Sequence, residues 1–198
     1  MTPPRLSYPS IEVRSGAVHL FLSAFDVFPS LAQKYLVQRG FAHALPGHKL
    51  QPTRHFIPLD AWLETFDAVL ADIGPNALFK IGLRITGNPH FPGTITDMES
   101  AFRAADQAYH LSHRKDGQTM FDAVKNKMLE GIGHYRMHRE GKEKKILVQC
   151  DTPYPCPLEH GMVSGIAWHF DTRAVAVHED AQCCRMKGGD HCNYLVTW

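Results

Sequence analysis

The sequence predicts an α+β domain, and three observations point to that class. Helix signatures crowd the first two thirds of the chain, and alternating, strand-like segments close it. The regular βαβ alternation that builds a doubly wound sheet is missing between them. The expected architecture is a helical N-terminal part packed on a C-terminal antiparallel sheet. One domain is expected over residues 1–198, with residues 1–15 as a loose N-terminal arm. At 198 residues and 44% hydrophobic, the chain can bury a core of its own.

The first helix is read from Pro29 to the stop at Gly40, with Leu31, Tyr35 and Leu36 facing inward. Residues 42–58 hold Pro46, Gly47, Pro52 and Pro58, and read as a loop. A second helix follows, with Asp60 as its expected N-cap and Leu63, Phe66, Leu70 and Ile73 at helical spacing. Gly74-Pro75 stops it and restarts a shorter helix over 76–83. After the breaker run 87–93, Thr96-Asp97-Met98-Glu99 fits a capping box, and Met98, Ala101, Phe102, Ala105 and Tyr109 form one apolar stripe.

The pattern then changes. A short amphipathic stretch around Phe121 to Leu129 leads into a hairpin of Ile132–His138 and Lys145–Cys150. Leu158–Phe170 reads as a helix, whose Gly161 and Gly165 permit close approach of another element. Ala174–His178 reads as a short strand, and Lys187-Gly188-Gly189-Asp190 as a turn. The closing strand, Cys192–Trp198, puts Cys192, Tyr194 and Val196 on one face.

Twenty-one Lys and Arg against twenty Asp and Glu leave a formal charge of +1, so no net field draws in nucleic acid or an anionic membrane. The basic run 142–145 reads as a solvated turn. The first fifteen residues carry no apolar stretch of the kind a secretory signal needs, and no apolar run is long enough to span a bilayer. The expected compartment is the cytoplasm. In a reducing compartment five thiols are read as metal ligands, pocket lining or reactive groups, not as a disulfide framework.

All five cysteines fall from Cys150 onward. In Cys184-Arg-Met-Lys-Gly-Gly-Asp-His-Cys192, two glycines and an Asp let the chain turn back and bring a thiol at each foot of the turn within metal-bonding distance. Cys156 is the natural third, pre-positioned by Pro153, Pro155 and Pro157. Spacing alone leaves two readings level, buried inert thiols and a closed zinc site, because no C-x2-C knuckle is present.

The segment from Cys156 through Gly161, Gly165 and Cys184 to Gly189-Asp190-x-Cys192-x-Tyr194 resembles the C-terminal signature of 4-vinyl-reductase-like domains, which share the fold of TRAPP vesicle-tethering subunits. The resemblance covers the last 50 to 70 residues well and the N-terminal part only in general layout. It implies a small-molecule-binding sensor with a buried pocket for an apolar effector beside a zinc held by three Cys and one Glu. The matching cysteines are Cys156, Cys184 and Cys192. The position of the family's glutamate is Ala181, so the fourth ligand is sought among Cys150, Cys183, Glu179 and His178; Cys150 is favoured, because adjacent strand residues point to opposite faces and Cys183 adjoins Cys184. The expected pocket residues are Phe79, Phe102, Tyr109, His110, His113 and Trp168.

Thirteen histidines are the other oddity. The pairs His110 and His113, and His134 and His138, are candidates for holding a haem iron or an anionic head group. No C-x-x-C-H, G-x-G-x-x-G, Walker A loop, H-E-x-x-H or G-x-S-x-G occurs. Three functions follow as expectations: a sensor holding an apolar ligand beside zinc, a haem- or tetrapyrrole-binding sensor, and a reductase component acting on a vinyl group. The first is favoured. Catalytic residues are not assigned, and the expected partners are a second copy of the chain or a signalling protein.

Overall fold

A computed structural model describes residues 7–25, 29–86, 95–139, 141, 144–179 and 184–198. The class is α+β, as expected, but strands also thread the N-terminal half. The chain runs β1 (Ile11–Arg14), α1 (Gly16–Ser23), α2 (Pro29–Gln38), β2 (Ala42–Leu45), β3 (Lys49–Pro52), β4 (Phe56–Pro58), α3 (Leu59–Asp72), α4 (Pro75–Thr86) and α5 (Met98–Leu111). The short strands β5 (His113–Lys115), β6 (Gln118–Thr119), β7 (Phe121–Asp122) and β8 (Lys127–Met128) follow. The chain closes through β9 (Tyr135–Arg139), β10 (Lys145–Cys150), α6 (Cys156–Phe170), β11 (Val175–His178) and β12 (Cys192–Thr197).

Two four-stranded antiparallel sheets result, ordered β4-β1-β5-β6 and β11-β12-β10-β9. The first one corrects the expected loose arm. Ile11 and Val13 alternate inward and are buried, so residues 11–14 form a central strand between β4 and β5. It also corrects the expected loop at 42–58. There the prolines stand at strand ends and in the turn after β2, where no ladder hydrogen bond is lost, and Gly47 supplies the left-handed turn residue (φ 72°).

Two helix starts also differ from expectation. Pro58 is the N-cap of α3; Asp60 lies in the first turn, where its carboxylate accepts the Tyr8 backbone N–H at 2.9 and 3.1 Å and the Ser7 hydroxyl at 2.8 Å. The capping box of α5 is built one residue later than expected. Asp97 accepts the Ser100 N–H at 2.7 Å, and the Ser100 hydroxyl receives the Asp97 N–H at 3.3 Å. Of the expected stripe, Met98, Ala101, Phe102 and Tyr109 are buried, and Ala105 is half-buried against the core. The amphipathic stretch at 121–129 is the β7–β8 hairpin, with the Asp122 carboxylate accepting from the Val124 and Lys125 amides in its turn.

The C-terminal reading holds closely. In β12, Cys192, Tyr194 and Val196 share one fully buried face, packed toward α6. Helix α6 crosses α4 at the contact of two glycines. A Cβ on Gly161 would lie 2.0 Å from the Phe79 carbonyl oxygen, and one on Gly82 would lie 2.0 Å from that of Leu158. The β9 strand starts at Tyr135 and not at Ile132, because Gly133 adopts φ 71° and presses against the Asp151 backbone. The expected breaker run at 87–93 and most of the turn at 140–143 fall outside the described residues. None of the described helices is long and apolar enough to cross a membrane.

Candidate functional site

Among the described residues, two buried clusters carry chemistry-bearing side chains. The first is the thiol cluster. Cys156 begins α6, Cys184 opens the turn before β12 and Cys192 begins that strand; the three Sγ atoms lie within 4.8 Å of one another. Cys156 and Cys192 approach to 3.1 Å. The turn supports them. Lys187 and Gly189 donate backbone N–H groups to the Cys184 carbonyl at 2.7 and 3.1 Å, and Gly188 takes the left-handed conformation that closes the loop. The Arg185 and Met186 amides point at the Cys192 and Cys156 sulfurs.

This environment favours a thiolate. The hydrogen bond from Cys156 pulls the Cys192 thiol down to about 5 against the effect of burial, and the Arg185 amide and guanidinium and His178 reinforce it. Arg185 is itself held beneath the turn by the Tyr154 carbonyl, at 3.0 Å, and by the fully buried Glu159 carboxylate. Burial pushes Glu159 up to about 7, with Arg185 and the Thr152 hydroxyl opposing that rise.

Cys150 is a correction to the expected ligand set. It sits opposite Cys192 in the β10–β12 ladder, yet it does not belong to the group whose sulfurs converge. It is fully buried, and burial raises its thiol well above the usual range, with the Glu159 charge adding to the rise. Ala181 and Cys183 fall outside the described residues; Glu179 is exposed. A cleft of about 730 Å³ opens onto the cluster, with Phe79, Met186, Cys156, Cys184, His160 and His178 among its walls.

The second cluster lies where α5 meets the start of β9. Asp106 accepts the Tyr135 backbone N–H at 2.9 Å with one carboxylate oxygen and pairs with His134 Nδ1 at 3.1 Å with the other. His134 Nε2 reaches Glu130 at 3.1 Å; against the pull of burial, the two carboxylates hold His134 above its ordinary range. His110, one turn after Asp106, is completely buried. Its Nδ1 contacts the Asp106 carbonyl at 2.9 Å, an acceptor, so Nδ1 carries the proton and Nε2 carries a bare lone pair. Nε2 has no hydrogen-bond partner. Burial lowers its affinity for a proton, so the ring stays neutral.

His113 is spent differently. Its Nδ1 donates to the Tyr109 carbonyl at 2.7 Å and its Nε2 accepts from the Tyr154 hydroxyl at 3.0 Å. Burial pulls it down to about 4.

The residues expected to line one pocket are therefore dispersed. Phe79 borders the thiol cleft, Phe102 is core, and Tyr109, His110 and His113 gather at the end of α5. Trp168 is 41% exposed, with its indole N–H on the Ala174 carbonyl at 2.8 Å. The expected His134 and His138 pair splits between the interior and the surface, because His134 precedes the strand. Asp106 was missed by sequence reasoning; its visible signal is a carboxylate on the apolar face of α5, between Phe102 and His110.

No family model and no curated protein matches the chain. Solved structures do. A variant of the Tt H-NOX protein matches at TM-score 0.60 and 13% identity, over 93% of this chain and 94% of that one. A chain described by haem redox potential and protein-induced porphyrin distortion matches at 0.58 and 12%, over 93% and 99%. An H-NOX protein from S. oneidensis in the Fe(II)NO ligation state matches at 0.56 and 15%, over 92% and 96%. These likenesses span both halves of the chain, whereas the 4-vinyl-reductase-like resemblance rested on a local cysteine and glycine signature at one end. That assignment, with its TRAPP-type fold, is overturned: the chain has the H-NOX fold.

Proposed function

We propose that this chain is a haem-binding sensor domain, with His110 as the residue that holds the iron. The observation that carries this reading is the orphaned Nε2 of His110: buried, neutral, aimed by an Nδ1–H bond to a backbone carbonyl, and without a partner. Metal-ligating histidines are built this way, the second ring nitrogen fixing tautomer and orientation. The fold likeness to H-NOX structures supports the same ligand class. Haem held by a neutral imidazole supplies an iron that takes small gaseous ligands.

This chain's own residues do the positioning. Asp106 uses its backbone carbonyl to fix His110 and its carboxylate to fix Tyr135 and His134, tying helix α5 to the sheet at the point where His110 emerges. The rings of Tyr109 and His134 lie 5.2 and 4.6 Å from His110, so accommodating a macrocycle requires these neighbours to shift. Titration of the purified chain with haem is expected to give a Soret band that saturates at one haem per chain. A spectrum that remains that of free haem removes the reading.

A second reading is favoured by the convergence of Cys156, Cys184 and Cys192, and is independent of the first. Three thiols from separate segments, with backbone amides directed at two of them, make a site for zinc that would pin the start of α6 to the turn before β12. Metal analysis of freshly purified protein tests it. One zinc per chain is expected, and its absence from protein that also fails to take up added zinc rejects it.

A further inference from the structure

We infer that His178 supplies the fourth donor at the thiol cluster, making it a Cys3His metal site; this rests on the zinc reading of Cys156, Cys184 and Cys192. A structural zinc is tetrahedral, so three sulfurs leave one position to fill. Among the described residues, the donors around the cluster can be taken in turn. Cys150 backs onto it from the sheet but stands outside the converging group. Glu159 is committed to Arg185 and Thr152. His160 Nε2 is bonded to the Ala176 carbonyl at 2.8 Å.

His178 is not committed. Its Nε2 is buried and has no hydrogen-bond partner. The residue borders the same cleft as Cys156 and Cys184. It pairs with Tyr194 across β11 and β12, which makes Cys192 its diagonal neighbour on the same sheet face, within reach of a long side chain. The ring stacks on Tyr194 at 4.9 Å and 25°, while the Tyr194 hydroxyl donates to the Cys156 carbonyl at 2.9 Å. One tyrosine thus links the imidazole to the backbone of a sulfur ligand. His178 lies outside the 4.8 Å group, so closure takes a rotation of its ring toward the sulfurs. The donor comes from the side of the cleft, which Cys156 and Cys184 border and behind which Cys192 is fully buried.

Cobalt(II) titration of the metal-free full chain tests this. The unaltered chain is expected to show thiolate-to-cobalt charge transfer together with the strong visible bands of a tetrahedral ion. His178→Ala should keep the charge transfer, lose intensity in the visible bands, bind cobalt about tenfold or more weakly, and respond to added imidazole. His178→Cys should restore the visible intensity and add charge transfer. Identical spectra and affinity for His178→Ala and the unaltered chain would overturn the assignment of His178. Absence of charge transfer in the unaltered chain would instead reject the thiol metal site itself.

Discussion

Gly82 of α4 and Gly161 of α6 sit where the two helices cross, each pressed against the backbone of the other helix: a Cβ on Gly82 would lie 2.0 Å from Leu158 O, and one on Gly161 would lie 2.0 Å from Phe79 O. This crossing sets the height of α6 and hence of Cys156 at its first turn. Because the obstructing atoms are backbone, relief requires the helices to separate. Gly161→Ala is expected to destabilise the fold by about 3 kcal/mol, as a core overpacking change. Gly82→Ala should do the same, and the double variant should cost less than the sum, since one separation relieves both. Urea unfolding midpoints measure this, and an unshifted midpoint for either single variant contradicts the crossing.

Asp106 joins a helix to a strand through charge. Replacing it with Ala strands the buried Tyr135 N–H and leaves His134 without its inner carboxylate. A loss of about 2–4 kcal/mol is expected for Asp106→Ala. Asp106→Asn keeps an acceptor for Tyr135 and should lose less. Equal losses for the two substitutions, read from thermal or urea unfolding, would show that the amide acceptor contributes nothing.

Acid should weaken the fold through His113. Its folded affinity for protons is depressed from 6.5 to about 4 by burial, so between those values the unfolded chain binds more protons than the native one. The stability it contributes is present above pH 6.5 and is lost as pH falls toward 4, up to about 3 kcal/mol for a shift of that size. His113→Gln should flatten this slope while lowering stability at neutral pH. A pH dependence unchanged by the substitution would contradict the role.

The cysteines separate by position in the fold. Cys192→Ser and Cys184→Ser are expected to abolish uptake of zinc measured by elemental analysis, whereas Cys150→Ser should retain it. Loss of zinc in the Cys150 variant at preserved secondary structure would return that residue to the ligand set.

The class and the C-terminal elements were legible because periodicity, the Pro-first helix start and the glycine turn at Gly188-Gly189 are local signals. The same signals identified Cys156, Cys184 and Cys192 as a group. The strands between 42 and 58 were hidden because their prolines punctuate short segments instead of forbidding them. Cys150 was misplaced because sequence nearness to the rigid Pro153–Pro157 segment says nothing about ladder register, which sets it opposite Cys192 with its sulfur outside the cluster. Asp106 and His134 are 28 positions apart, and their pairing depends on how β9 docks against α5. The motif resemblance failed for a related reason: a terminal signature constrains a turn, while the order of both sheets constrains the fold.

The most direct test of the haem reading replaces the orphaned imidazole and then restores it. Haem titrated into His110→Gly should give no Soret band of the bound form, and free imidazole added to that variant should recover it, since the small ring can fill the space left by the side chain. A His110→Gly variant that binds haem with an unaltered spectrum, with no response to imidazole, would contradict the claim that His110 holds the iron.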